Sequence, residues 1–286
     1  LQALRELEGR IKDHLDAIVR LAGNADARVR RDSLKTLGET DRSQIGERVR
    51  EALVAGLGDE DTAARLEATG SVAKLRLADP PVLEALKNNL GENENLLEAT
   101  MAALAVAGPA AKSTLATISQ LMEHPSGGVR QAAISTYAAV QSDKTVLTGR
   151  LTDALSDSEW TVRREASEAL AEIGPDAKAA IPALFNLLSS EDDSDSASNA
   201  IREIDAAPED AVPLFLANLD SDDRRTKFYA MFLLGKVGPA ASEALPKLEE
   251  MLKEAESEGG SAFRTRFLKQ AIASIKGEEE PDDDED

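Results

Sequence analysis

The 286-residue chain has no cysteine, so disulfides, thiolate nucleophiles and cysteine-ligated zinc are excluded. Aromatic residues make up only 3% of it, and its apolar mass is therefore Ala, Leu, Val and Ile, a mixture that favours helix over sheet. Histidine occurs twice, as His14 and His124, far apart in sequence. A lone histidine is usually structural, so no imidazole-based catalytic or metal site is expected. No run of 18 apolar residues and no basic-then-apolar leader occurs. Positive charge is also scarce: 33 basic against 53 acidic residues give a net charge of −20, which repels phosphate backbones.

Motifs for common chemistries are missing as well. Gly127-Gly128 lacks the spacing and the Lys-Ser/Thr follower of a phosphate loop. No Gly-x-Ser-x-Gly elbow occurs. The run Glu191–Ser196 (EDDSDS) offers oxygen ligands, but without the central Gly and terminal Glu of a calcium loop it reads as a solvated turn between helices.

What the chain does have is a period. Residues 162–174 read VRREASEALAEIG, 226–238 read TKFYAMFLLGKVG, 129–140 read VRQAAISTYAAV and 29–38 read VRRDSLKTLG. Aligning the small residue in this pattern gives Ser33, Ala68, Thr100, Ala133, Ala166, Ala197, Ala230 and Leu268, spaced by 35, 32, 33, 33, 31, 33 and 38 residues. Such a period signals a repeat architecture with one two-helix unit per step. The first helix of a unit carries apolar residues at helical spacing, as in Ile181, Leu184, Leu187 and Leu188, with Pro182 near its start. A polar turn follows, and the second helix aligns Val162, Ala166, Ala169, Leu170 and Ile173 before Gly174-Pro175 stops it. Gly108-Pro109 and Gly238-Pro239 repeat that stop. A single hairpin cannot bury both faces, so neighbours must stack.

These residues resemble the HEAT-repeat family, in its short bacterial variety of the PBS-lyase type, over about residues 11–277. The resemblance implies an all-α fold: a right-handed α–α superhelix, or solenoid, of about eight helical hairpins. One domain is expected over residues 1–277, and residues 278–286, with eight acids and no apolar side chain, are expected to form a disordered acidic tail. The eight acids of that tail account for only part of the charge; −12 remains without them. In the family, an acceptor ahead of the second helix and an Arg six residues later form a hydrogen-bonded ladder. The matching pairs are Asn24/Arg30, Asp59/Arg65, His124/Arg130, Asp157/Arg163 and Ser221/Lys227. Leu97 and Ser194 stand at the basic position in the third and sixth units and interrupt it.

Aromatics are distributed unevenly. Residues 1–136 contain none, whereas Phe185, Phe215, Phe228, Tyr229, Phe232, Phe263 and Phe267 follow residue 180. In the seventh unit the core is already supplied by Ala230, Leu233, Leu234 and Val237. Tyr229 and Phe232 therefore take the places of Glu165 and Glu168 in the fifth unit and read as exposed, with Phe267 aligned to Tyr229. Residues 224–236 and 262–276 hold Arg224, Arg225, Lys227, Lys236, Arg264, Arg266, Lys269 and Lys276 with no acid, while the helix between them carries Glu243, Glu249, Glu250 and Glu254. The expected arrangement is a basic, aromatic second-helix side, concave in HEAT-like solenoids, and an acidic outer side. Trp160, two residues before Val162, is expected to pack over the turn between neighbouring units.

The expected function is non-catalytic: a protein-interaction scaffold whose partner-binding residues are Tyr229, Phe232, Phe267, Arg224, Arg225, Arg264 and Arg266, and whose partner is a protein or peptide with an acidic segment. The alternative reading is that these residues only close the end of the stack. No cofactor, metal or membrane contact is expected. Within the family resemblance, a phycobilin-lyase-type enzyme is the runner-up, although no motif matches it. The iron-binding His-Glu dipeptides of deoxyhypusine hydroxylase are lacking, and nucleic-acid binding through the basic patch is disfavoured by net charge. The cytoplasm is the expected compartment. Because the sequence begins at Leu1 rather than Met, export stays open.

Overall fold

The computed structural model of the chain describes residues 14–91, 93–257 and 262–278. The acidic run from residue 279 onward and the first thirteen residues lie outside them, as does most of the loop Glu256–Ser261. The described residues form helices and no strands, divided between two compact units, Leu1–Ser142 and Asp143–Asp286.

In the first unit, residues 14–21 are helical and are followed by α1 (Ala27–Leu37), α2 (Glu47–Leu57), α3 (Thr62–Leu75), α4 (Pro80–Asn88), α5 (Glu94–Ala107), α6 (Leu115–Leu121) and α7 (Gly127–Val140). The second unit runs through α8 (Lys144–Ala154), α9 (Trp160–Ile173), α10 (Ile181–Asn186), α11 (Ser194–Ile204), α12 (Val212–Ala217), α13 (Arg224–Val237), α14 (Leu245–Ser257) and α15 (Ala262–Lys276). Each is a stack of hairpins. Second helices pack on second helices, α1 on α3, α3 on α5, α5 on α7, α9 on α11 and α13 on α15. The fold is therefore an all-α solenoid, as the period requires.

The aligned small residues set this packing. Ser33, Ala68, Thr100, Ala133, Ala166, Ala197, Ala230 and Leu268 are all buried, most of them completely. A short side chain at the centre of a helix lets its neighbours approach within ordinary contact, and the flanking Leu and Ile residues supply most of the buried apolar area. Side-chain hydroxyls use the same closeness. Ser71 on α3 donates to the Leu34 carbonyl on α1 (2.9 Å), and Thr136 on α7 donates to the Met101 carbonyl on α5 (3.1 Å).

Starts and stops follow the local chemistry. Asp26, Asp61, Asn93 and Asp223 cap α1, α3, α5 and α13 by accepting from backbone N–H groups of the first turn. Gly108, Gly174 and Gly238 end their helices at φ of +59°, +69° and +71°, a conformation that costs any side-chain-bearing residue energy. The following Pro then opens a short 3₁₀ turn that leads into the next first helix. This stop breaks the stretch Glu94–Leu121, which contains an 18-residue window of mean hydropathy 1.3. In α10 and the turn after it the buried residues are Ile181, Leu184, Phe185 and Leu188, so Phe185 and not Leu187 completes the face, packing 5.3 Å from the ring of Phe215.

Candidate functional site

Two sets of side chains recur on the second helices: a polar rung at their N-terminal turns, and a surface row that becomes aromatic in α13 and α15.

The rung begins the same way in five of the turns. Asn24, Asp59, His124, Asp157 and Ser221 accept from the backbone N–H two residues ahead, at 2.9, 2.8, 3.1, 2.8 and 3.2 Å, and so fix the turn. The Arg six residues on then donates through Nη1 to the carbonyl of that same residue: Arg30 to Asn24 (3.0 Å), Arg65 to Asp59 (2.7 Å), Arg130 to His124 (2.8 Å) and Arg163 to Asp157 (2.8 Å). Lys227 makes no such bond to Ser221 among the described residues. In Arg30 and Arg163 the rest of the guanidinium reaches the next hairpin. Arg30 binds the Asp59 carboxylate with two contacts of 2.7 Å, the paired geometry that Arg favours. That guanidinium, hydrogen-bonded to Asp59, holds its carboxyl below the ordinary value of 3.8.

Arg163 makes the matching reach to Asp193, with contacts of 3.0, 3.0 and 2.8 Å, and Ser190 Oγ adds a further bond of 2.7 Å. Asp193 is 2% exposed. The acidic run Glu191–Ser196 is therefore not simply a solvated turn, because one of its carboxylates is the buried anchor of the rung. The ladder thus enters the sixth hairpin although Ser194 cannot carry it onward. Arg225–Asp195 (2.7 Å) links the sixth and seventh hairpins instead. In the third hairpin Leu97 is buried, so apolar packing replaces the basic residue.

The surface row differs from the sequence expectation in one important member. Tyr229 is buried, with its hydroxyl donating to the Ser198 carbonyl on α11 at 3.3 Å. It belongs to the packing of the stack and not to an open face. Phe232 and Phe267 are half-buried, and Phe263 is 59% exposed.

Phe228, not singled out from sequence, is the hub. Its ring centroid lies 5.0 Å from Phe267, 5.8 Å from Phe263, 6.4 Å from Phe232 and 5.2 Å from Tyr229, while Phe263 and Phe267 are 4.5 Å apart. Its signal was the repeat register: it shares a position with Leu66 and Arg164, which are partly exposed. A cleft of about 180 Å³ continues from this cluster between α13 and α15, floored by Gly235, where an added Cβ would lie 3.1 Å from the Ala271 backbone. Ser274 Oγ donates to the Gly235 carbonyl at 2.7 Å and pins the two helices there.

Charge is less segregated than expected. Arg225 pairs with Asp195, Lys236 with Asp205, Lys269 with Glu256 and Lys276 with Glu249, so acids of adjacent helices neutralise half of the basic set. Glu249, on the helix expected to form a separate acidic side, also holds the Lys276 ammonium above its ordinary pKa. Arg224, Lys227 and Arg264 have no ion pair among the described residues. Arg224 is exposed, Lys227 and Arg264 are half-buried, and Arg266 is exposed. All four lie in the first turns of α13 and α15, beside the Phe cluster. Trp160 is 42% exposed and does not disappear into the packing; the Arg164 guanidinium sits 5.0 Å over its ring.

Residues 115–204 match the family model for HEAT repeats. No curated protein sequence matches the chain. Among solved structures, it is similar to an engineered protein at 20% identity and a TM-score of 0.58, covering 97% of this chain and 85% of that one. It is also similar to Kap95p, described with RanGDP, at 14% identity and a TM-score of 0.60 over 96% of this chain and 42% of Kap95p. A third similarity is to YibA of E. coli, at 20% identity and a TM-score of 0.56 over 80% and 84% of the two chains. At these identities the likeness is one of fold.

Proposed function

We propose that this chain of HEAT repeats is a non-catalytic scaffold that docks a protein partner on the second-helix face of α13 and α15, and that the partner presents an acidic segment with an apolar anchor. The observation that carries the reading is the Phe cluster. Phe228, Phe232, Phe263 and Phe267 form one contiguous, partly exposed surface in a chain with few aromatics, and Arg224, Lys227 and Arg264, which have no ion pair among the described residues, stand in the same two helices. Aromatic anchors beside Arg are the combination that dominates interface energetics, and cations steer an acidic segment toward them.

The residues that act are Phe228, Phe263, Phe267 and Phe232 as the apolar floor, with Arg224, Lys227, Arg264 and Arg266 as the rim. Tyr229 supports the floor from beneath. A protein partner also accords with fold neighbours such as Kap95p, whose structure is described with RanGDP. His124 lends the scaffold reading further support, since its imidazole Nδ1 is engaged as a turn acceptor.

The test is selection from a displayed random-peptide library on the wild-type chain, followed by rebinding to a Phe263→Ala, Arg224→Gln, Lys227→Gln variant. These side chains are exposed or half-exposed, so the variant should melt like the wild type. Peptides rich in Asp or Glu around an apolar residue, weakened on the order of 10-fold or more by the variant, are expected. Selected peptides that bind wild type and variant equally would overturn the assignment.

A further inference from the structure

We propose that the docking face continues past the Phe cluster to Trp160, and that one extended segment of a partner protein occupies it. That segment sets an apolar side chain on Trp160, a basic one at Glu191 and Asp192, and its acidic, apolar end on the cluster. This inference rests on the docking reading above and adds the length of the ligand and the order of its residues.

The N-terminal turns of four second helices make one edge. Arg163 on α9 reaches Asp193, at the start of α11 (2.8 Å), Asp195 on α11 pairs with Arg225 on α13 (2.7 Å), and Phe228 on α13 stacks on Phe263 of α15 with ring centroids 5.8 Å apart. Each contact joins one second helix to the next, so Trp160, which opens α9, and Phe263, in the first turn of α15, stand three steps apart on the same edge. The repeat register fixes which side chains it displays. Trp160, Glu191 and Arg224 lie six residues before the buried Ala166, Ala197 and Ala230, and Arg164, Asp195 and Phe228 lie two before them. All six are exposed or half-buried. Equivalent positions of stacked repeats recur at one place on each unit and therefore form rows.

Along these rows the chemistry changes with each helix. Trp160 is 42% exposed, and the Arg164 guanidinium 5.0 Å over its ring steadies it, which makes the ring a preorganised apolar platform. Glu191 and Asp192 come next, exposed and with no ion pair among the described residues. Arg224 and the phenylalanines follow. An aromatic place, an anionic place and a cationic aromatic place are complementary to a segment that is apolar, then basic, then acidic and apolar. A segment acidic throughout is repelled at the middle place, which gives the edge a means of rejecting it. With about 10 Å between packed helices, the three steps measure roughly 30 Å. About nine extended residues span that distance, with the three chemistries about three residues apart.

Trp160 is the only tryptophan in the chain, so its emission reports contact at that place alone. The probes are synthetic copies of peptides of about twelve residues, long enough to span the edge and free of tryptophan, selected by display on the wild-type chain. Peptides weakened by Phe263→Ala should carry a basic residue between an apolar residue and an acidic, apolar block, and should shift Trp160 emission on binding. Trp160→Ala should weaken them roughly 10-fold, with Trp160→Phe recovering part of the loss. Glu191→Gln combined with Asp192→Asn should weaken them about 3-fold at low salt and not at high salt. The replaced side chains are exposed, so each variant should melt like the wild type. Peptides that need Phe263 but leave Trp160 emission unchanged, or bind Trp160→Ala as tightly as wild type, would overturn the extension and leave the docking face standing. Peptides indifferent to Phe263→Ala, or a library that gives no binder, would overturn both.

Discussion

Replacing Asp193 tests whether the rung holds the hairpins of the second unit together or merely decorates them. Its carboxylate accepts three contacts of 2.8–3.0 Å from Arg163 and one of 2.7 Å from Ser190, and its side chain is 2% exposed against 16% for Arg163. In Asp193→Ala the guanidinium keeps its bonds to the Asp157 and Ser158 carbonyls but loses the anion it faces in a mostly dry site. Breaking a buried pair from one side costs about 3–5 kcal/mol. Because Arg163 retains some water access and its two carbonyl partners, about 3 kcal/mol is expected. For a protein of this size that corresponds to a fall in Tm of roughly 6–12 °C. Urea unfolding followed by far-UV circular dichroism measures it, with the slope unchanged if the fold persists. A second variant, Arg163→Met with Asp193→Leu, removes both charges and should recover most of the loss, since an apolar pair of similar volume avoids the desolvation cost. A loss below about 1 kcal/mol in the single variant, or a double variant no better than the single, would refute a structural rung.

Two further outcomes follow from the same geometry. Tyr229→Ala should cost about 3 kcal/mol because it empties a buried site between α11 and α13, whereas Phe263→Ala should stay within about 0.5 kcal/mol; equal thermal shifts in the two variants would contradict their assigned positions. The Arg30–Asp59 contact should make stability acid-sensitive. The Asp59 carboxyl is held below 3.8 in the folded chain, so its contribution is complete above the ordinary carboxylate range and is lost as pH falls through the lowered folded value. Urea unfolding of wild type and Asp59→Asn should show a gap at pH 6 that closes toward pH 2, and a gap independent of pH would contradict the linkage.

The stack itself was legible because one position per unit reports on it: eight aligned residues, seven of them small, and every one buried. The stops were legible for an equally local reason, since only glycine adopts φ near +70° at no cost and proline cannot continue the helix. What sequence hid was contact from one hairpin to the next. Tyr229 occupies the place that Glu165 takes in the fifth hairpin and reads as exposed, yet its ring is buried and its hydroxyl donates to the Ser198 carbonyl of the preceding second helix. The partner of Arg163 lies thirty residues away in the next hairpin, so a pairing read within one unit finds only its own turn. Trp160 was expected to be covered, but its guanidinium neighbour on the same helix turn offers a surface alternative. Phe228 was overlooked because its neighbours in the register are Arg, Leu and Glu, and it matters only once four phenylalanines meet.

The claim that the α13–α15 face receives the partner is tested most directly by site-specific photocrosslinking. A photoreactive phenylalanine analogue at position 263 sits within the Phe cluster, while the same analogue at position 146 sits on the first helix α8, where Val146 is 45% exposed. With the display-selected acidic peptide as ligand, crosslinking should occur from position 263 and not from 146, and it should be lost when the unlabelled peptide is added in excess. Crosslinking from position 146 alone, or equally from both positions, would contradict the assignment of the docking face.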